Sequence, residues 1–81
     1  MKGIKFGQVI DLGGVEELVM GLEEDGRLWV SEGKSTVGSL VWPSECQILD
    51  RIELVKAHVK LKQYLDVAPA FIEDHNRLKE I

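Results

Sequence analysis

The sequence predicts an α+β fold in which five short antiparallel strands precede two C-terminal helices. Three observations support this. Up to residue 49, short apolar runs alternate with glycine-containing turn segments; after residue 50, apolar residues recur at helical spacing; and 81 residues allow one domain. We therefore expect a single domain over residues 1–81, with the strands in 1–49 and helices at 50–66 and 69–81.

The first two strands are defined by the turns that follow them. Residues 6–12 predict a strand that ends at Gly13 and Gly14, where the turn calls for positive φ. Residues 15–23 predict a second strand. Asp25 and Gly26 then predict a hairpin tip, because the two-residue loops of type I′ favour Asp-Gly.

The strand after this tip carries large apolar side chains on both of its faces. Side chains alternate along a strand, so Leu28 and Val30 share one face while Arg27 and Trp29 share the other. If Leu28 and Val30 point into the core, a helix, a partner or a ligand must cover Trp29. If Trp29 points inward, the aliphatic side chains need that cover instead.

A fourth strand is predicted over residues 36–42, and a short fifth strand over 46–49 follows a break led by Pro43. The segments EEDGRLWV and VWPSEC, with their order and spacing, resemble the small SH3-like barrels over residues 4–49. The resemblance implies a five-stranded antiparallel barrel. It further implies that the domain binds peptides, nucleic acids or sister subunits.

The first helix is predicted to carry two apolar faces. Asp50 and Glu53 have the spacing of a capping box, which places the helix start at Asp50. The barrel can bury one apolar arc, and the other must meet the last segment or a second chain. At 100° per residue the two arcs are Ile52, Val55 and Val59 on one side, and Leu54, Leu61 and Leu65 on the other.

Pro69 suits the opening turn of the second helix, which carries an apolar stripe of its own. That helix either folds back on the barrel or exchanges with a neighbouring chain. In both cases we expect a homo-oligomer, because the helices carry more apolar surface than a small barrel can bury. The predicted oligomer interface comprises Leu54, Leu61, Leu65, Phe71 and Ile72.

The sequence lacks the residue groupings that catalysis or metal binding requires, so we expect no enzyme, no cofactor and no metal site. His58 and His75 fall on predicted helices beside apolar residues, as packing histidines do. Cys46 is the only cysteine, which excludes an internal disulfide and a cysteine-based zinc site. Glu23 to Asp25 are interpreted as a solvated turn.

The net charge of −4 is concentrated in the first fifty residues, which carry four Lys/Arg against nine Asp/Glu. We therefore do not expect a nucleic-acid partner, since binding to phosphates needs clustered cations. No apolar run approaches the length of a membrane span, and the first residues lack the apolar block of a signal peptide. We expect a cytoplasmic protein that does not enter membranes.

Two classes of function remain. The first is a non-enzymatic protein-interaction or oligomerisation module that binds a protein partner. In size and acidity the chain resembles phage accessory proteins, which predicts a role in inhibiting or regulating a host system. The alternative is a protein that binds or sequesters a small anionic ligand of nucleotide type at a subunit interface. Its predicted binding residues are Trp29, Trp42, Arg27 and Lys34, with stacking on tryptophan and neutralisation by the cations.

Overall fold

A computed structural model describes residues 4–32, 38–67 and 70–79. It shows an α+β fold, with five antiparallel strands in one sheet followed by two C-terminal helices. The strands are β1 (Gln8–Leu12), β2 (Val15–Leu22), β3 (Leu28–Val30), β4 (Ser39–Val41) and β5 (Gln47–Ile52). The helices are α1 (Leu54–Val67) and α2 (Ala70–Lys79), and a single 3-10 turn, Pro43–Glu45, links β4 to β5.

The sheet is open, so the predicted closure into a barrel is wrong. The strand order is β4-β3-β2-β1-β5, which leaves β4 and β5 as opposite edges that do not pair with each other. The physical reason lies in the helices: both pack against the central strand β2 and cover apolar side chains that a closed barrel would enclose by itself. The long β5 edge strand is therefore mostly exposed.

The β2–β3 hairpin forms where Asp25 and Gly26 predict it, but its loop is longer than expected. The Gly26 amide donates to the Glu23 carbonyl at 3.0 Å, and the Glu23 amide donates to the Arg27 carbonyl at 2.7 Å. Of these residues only Gly26 has positive φ, at 100°. A type I′ turn needs positive φ at two residues, so this is a three-residue loop that ends on a left-handed glycine.

The boundary between β5 and α1 also differs from the prediction. Asp50 does not cap the helix, because β5 continues to Ile52, which pairs with Gln8 of β1. Glu53 is the capping position: its amide donates to the Gly7 carbonyl at 2.9 Å, and its carbonyl accepts from the Ala57 amide at 3.0 Å. Pairing with β1 therefore extends the strand, and the helix begins at Leu54.

Gly7 makes this corner possible. Its φ is +84°, and a Cβ atom there would lie 3.3 Å from the Ala57 Cβ and 3.4 Å from side-chain atoms of Ile52 and Leu54. A side chain at position 7 would therefore be strained and would push against the first turn of α1.

The apolar core divides into two clusters, one on each face of the sheet. The first is built on Ile10, Val19, Leu28, Val30 and Val41 and is joined by Leu78 of α2. The second contains Val9, Leu18 and Met20 of the sheet with Ala57 and Tyr64 of α1, and Trp29 packs against it. Leu28 and Val30 are thus fully buried, and Trp29 lies on the opposite face of β3, where it is half-buried.

Helix α2 packs closely against β2 of the same chain. A Cβ atom at Gly21 would lie 3.1 Å from backbone atoms of Asp74 and His75, so a larger residue there would require α2 to move away from β2. The buried His75 ring contacts the Met20 carbonyl through Nδ1 at 2.8 Å, and its ring edge meets Phe6 with centroids 4.8 Å apart. Both contacts attach the middle of α2 to the centre of the sheet.

Candidate functional site

Two of the predicted ligand-binding residues come into contact on the surface. The guanidinium of Arg27 lies 5.9 Å from the centroid of the Trp42 ring, a cation–π distance, and Trp42 is 45% exposed. Asp25 neutralises that cation, since Arg27 Nε donates to its carboxylate at 2.8 Å. Hydrogen bonds from the Arg27 backbone amide and guanidinium lower the pKa of the Asp25 carboxyl.

Trp29 serves a different purpose from Trp42. Its indole Nε1–H donates to a carboxylate oxygen of Glu23 at 3.2 Å and to one of Asp74 as well. Glu23 lies at the end of the β2–β3 hairpin and Asp74 lies in α2, so one indole nitrogen joins two elements. We call Trp29, Glu23, Asp74 and Arg77 the indole–carboxylate cluster.

Arg77 completes this cluster from α2. It donates to Asp74 Oδ1 at 2.5 Å and to Glu73 at 3.1 Å, and it lies 3.8 Å from Glu24. Because Glu23 and Asp74 both accept from the same indole, their oxygens are close. The resulting hydrogen bond between the two carboxyl groups, together with partial burial, raises the pKa of Glu23 above its usual 4.5.

A cleft of about 380 Å³ lies between the first two strands and α1. Its floor is apolar, with Val9 and Leu18, and its walls carry both signs of charge, from Glu16, Glu17, Glu53, Arg51, Lys56 and Lys60. Arg51 is engaged by Glu16 and, at 3.4 Å, by Glu53. Ser31 is buried, accepts from the Leu18 amide and donates to Glu17 at 2.8 Å. The walls therefore largely neutralise themselves, which does not favour a simple anion.

The helix α1 turns an apolar surface to solvent. Ala57 and Tyr64 face the sheet and are buried, whereas Val55 is 81% exposed and Val59 57% exposed. At 100° per residue these two valines lie roughly opposite Ala57 and Tyr64. Leu54 and Leu65 lie on a different side of the helix and are 52% and 39% exposed. We call the surface of α1 around Val55 and Val59 the outer face of α1.

The predicted interface residues divide between the inside and the outside of the molecule. Leu61 packs against the second core cluster, whereas Leu54, Leu65 and Ile72 are exposed. The side chain of Phe71 and the whole of Lys34 lie outside the described residues. Lys34 therefore cannot be placed beside Arg27 and Trp42.

Sequence reasoning misses the indole–carboxylate cluster. It interprets Glu23 as part of a solvated turn and gives no reason to expect Asp74 beside it. No local pattern links them, because their approach depends on how α2 packs at Gly21. An aromatic residue with a polar edge beside an acidic turn is the one available signal.

Among residues 4–32, 38–67 and 70–79, no three His, Cys, Asp or Glu side chains are grouped so that they could hold a metal ion. In the same part of the chain, no helix has both the length and the apolar character needed to cross a membrane. Comparison with known proteins gives no match to any family model, to any curated protein or to any solved structure. The outer face of α1 therefore has to be interpreted from its own chemistry.

Proposed function

We propose that this protein is a non-enzymatic interaction module that forms a homo-oligomer through the outer face of α1. The observation that carries the proposal is the exposure of Val55 and Val59, at 81% and 57%, directly opposite the face that the sheet buries. Isolated apolar residues on a surface are ordinary, but two adjacent exposed valines one turn apart on a helix favour association.

The surroundings of this face support the proposal. Ile52 and Leu54 both approach Gly7 and are 44% and 52% exposed, so exposed apolar side chains lie on both sides of the turn from β5 into α1. β5 is also an edge strand with few buried residues. Edge strands and apolar helix faces are the surfaces through which small domains complete their cores.

The proposal includes a relationship to the SH3-like barrels. A five-stranded antiparallel sheet with a 3-10 turn between its last two strands supports this relationship, although the sheet is open. The regulatory accessory role predicted from size and acidity needs a docking surface and no catalytic site. The outer face of α1 is a surface that such docking could use.

Replacing Val55 by Lys tests the proposal. Burial of a valine side chain contributes roughly 1.5–3 kcal/mol, and each of two chains would lose one, so association should weaken about a hundredfold or more. Lys has a higher helix propensity than Val, so α1 should stay folded. Sedimentation velocity over a dilution series measures the association, and circular dichroism checks the helix.

The matched control is Val15→Lys, which places the same change at another exposed valine, 56% accessible, at the β1–β2 turn. This variant should associate as the unmodified chain does. Equal weakening by both variants would show that general surface apolarity, rather than the outer face of α1, drives association.

A further inference from the structure

We infer that the cleft between the first two strands and α1 binds a small zwitterion with an aliphatic side chain, such as an aliphatic α-amino acid. This site goes beyond the proposed function, which does not use the cleft. Three observations carry the inference: an apolar floor, walls of opposite charge, and a carboxylate that a buried hydroxyl positions.

The size and the floor of the cleft suit a small aliphatic group. Its volume of about 380 Å³ lies at the lower end of the range of roughly 300–1,000 Å³ for small-molecule sites. Val9 and Leu18 form the floor and are buried, and Val59 of α1 also lines the cleft. These three side chains offer apolar contacts and no hydrogen-bonding group. The aliphatic part of a ligand would therefore lie against them.

The two long walls of the cleft carry opposite charges. The carboxylates on β2 are Glu16 and Glu17, and the cations on α1 are Lys56 and Lys60. Arg51, near the turn from β5 into α1, already pairs with Glu16 and with Glu53. An anion alone would face the acidic wall and a cation alone the basic wall. A zwitterion meets an opposite charge on each side.

Glu17 and Lys56 are the groups that would bind the two charged ends. Ser31 is 3% exposed, and its hydroxyl accepts from the Leu18 amide at 2.9 Å and donates to the Glu17 carboxylate at 2.8 Å. This bond restricts the Glu17 carboxylate, which can accept from a ligand's ammonium. Lys56 is exposed and makes no ion pair with any residue of the described part of the chain, so its ammonium can donate to a ligand's carboxylate.

Calorimetric titration with L-leucine tests the inference, and we expect saturable binding with a Kd of about 1 mM or lower. Three truncated compounds are the controls. The first, 4-methylpentanoate, lacks the ammonium; 3-methylbutylamine lacks the carboxylate; and glycine lacks the aliphatic side chain. Each should bind about tenfold more weakly than leucine or worse, because each leaves one feature of the cleft without its counterpart.

Glu17→Gln and Lys56→Gln test the two charged ends separately. Glutamine at position 17 can still accept from Ser31, so this variant removes the charge and keeps the local structure. Each variant should weaken leucine binding about tenfold or more, the scale of one hydrogen bond to a charged group. Glu17→Gln should not weaken the binding of 4-methylpentanoate, which has no ammonium. Lys62→Gln, on the same helix but outside the cleft, should bind leucine as the unmodified chain does.

Three results would overturn the inference: no saturable binding at about ten times the expected Kd, equal binding of leucine and 4-methylpentanoate, or undiminished leucine binding by both cleft variants. The test is separate from that of the proposed function, since the outer face of α1 is unchanged in every variant used. If leucine binds to a chain that is monomeric throughout, the ligand site stands while the proposed oligomer fails.

Discussion

At the scale of the residue, Gly7 holds the corner from which the outer face of α1 projects. Its φ of +84° and the 3.3 Å approach to Ala57 make two separate demands on position 7. We predict that Gly7→Ala lowers the free energy of unfolding by about 1–3 kcal/mol from backbone strain, with a further loss from contact with Ala57. Urea unfolding measures the difference.

Gly14→Ala separates the two causes. Gly14 has a similar φ of +91°, but no atom lies within 4 Å of the added Cβ, so this variant carries the strain alone. Gly7→Ala should therefore be the more destabilising of the two. Equal losses would show that the close packing at the corner contributes nothing.

Glu23 makes the stability of the folded protein depend on pH. Because its pKa is raised in the folded protein, mainly by the hydrogen bond with Asp74, the folded state holds this proton more tightly than the unfolded chain does. The stabilising contribution is complete below the usual pKa of 4.5 and is lost as the pH rises through the raised value. At neutral pH the ionised Glu23 and Asp74 repel each other.

Glu23→Gln should therefore be at least as stable as the unmodified protein at pH 7, by less than about 1 kcal/mol since the pair is partly exposed. The difference between the two proteins should shrink as the pH falls towards 4.5. Urea unfolding at several pH values measures it. At each pH the quantity of interest is the stability of Glu23→Gln minus that of the unmodified protein. If this difference were lower at pH 7 than at pH 4.5, the assignment would be contradicted.

At the scale of the element, the close packing of α2 on β2 depends on a glycine. The glycine at position 21 lets the backbone at Asp74 and His75 come within 3.1 Å of an added Cβ. We predict that Gly21→Ala displaces α2, exposes its amides to hydrogen exchange and shifts the fluorescence of Trp29, whose indole bonds to Asp74. Unchanged exchange in α2 together with unchanged fluorescence would contradict this packing.

The sequence predicts the number, order and antiparallel pairing of the elements better than it predicts their ends. Alternation identifies Leu28 and Val30 as one face and Trp29 as the other, and the structure buries the first in one core cluster and packs the second against the other cluster. The predicted start of α1 is wrong. Asp50 has the side chain of a helix cap, but it lies in β5, which pairs with β1. Because β1 is distant in the sequence, the residues around Asp50 do not indicate this pairing.

At the scale of the whole molecule, a single helix serves both the interior and the surface. Periodicity predicts the two apolar arcs of α1 but not the face that the sheet buries, because Ala57 and Tyr64 are not its most apolar residues. Leu61 accordingly packs inward, and Val55 and Val59 face solvent. The predicted ligand-binding residues do not all come together. Trp29 donates to Glu23 and Asp74 instead, and among the described residues of the set only Arg27 and Trp42 are in contact.

The most direct test of this account is the light-scattering mass of the unmodified chain across micromolar concentrations. Closure of the outer face of α1 against a second chain predicts a mass that rises with concentration towards twice that of one chain, and a Val55→Lys variant that stays at the mass of one. A mass equal to one chain for the unmodified protein throughout this range would contradict the account.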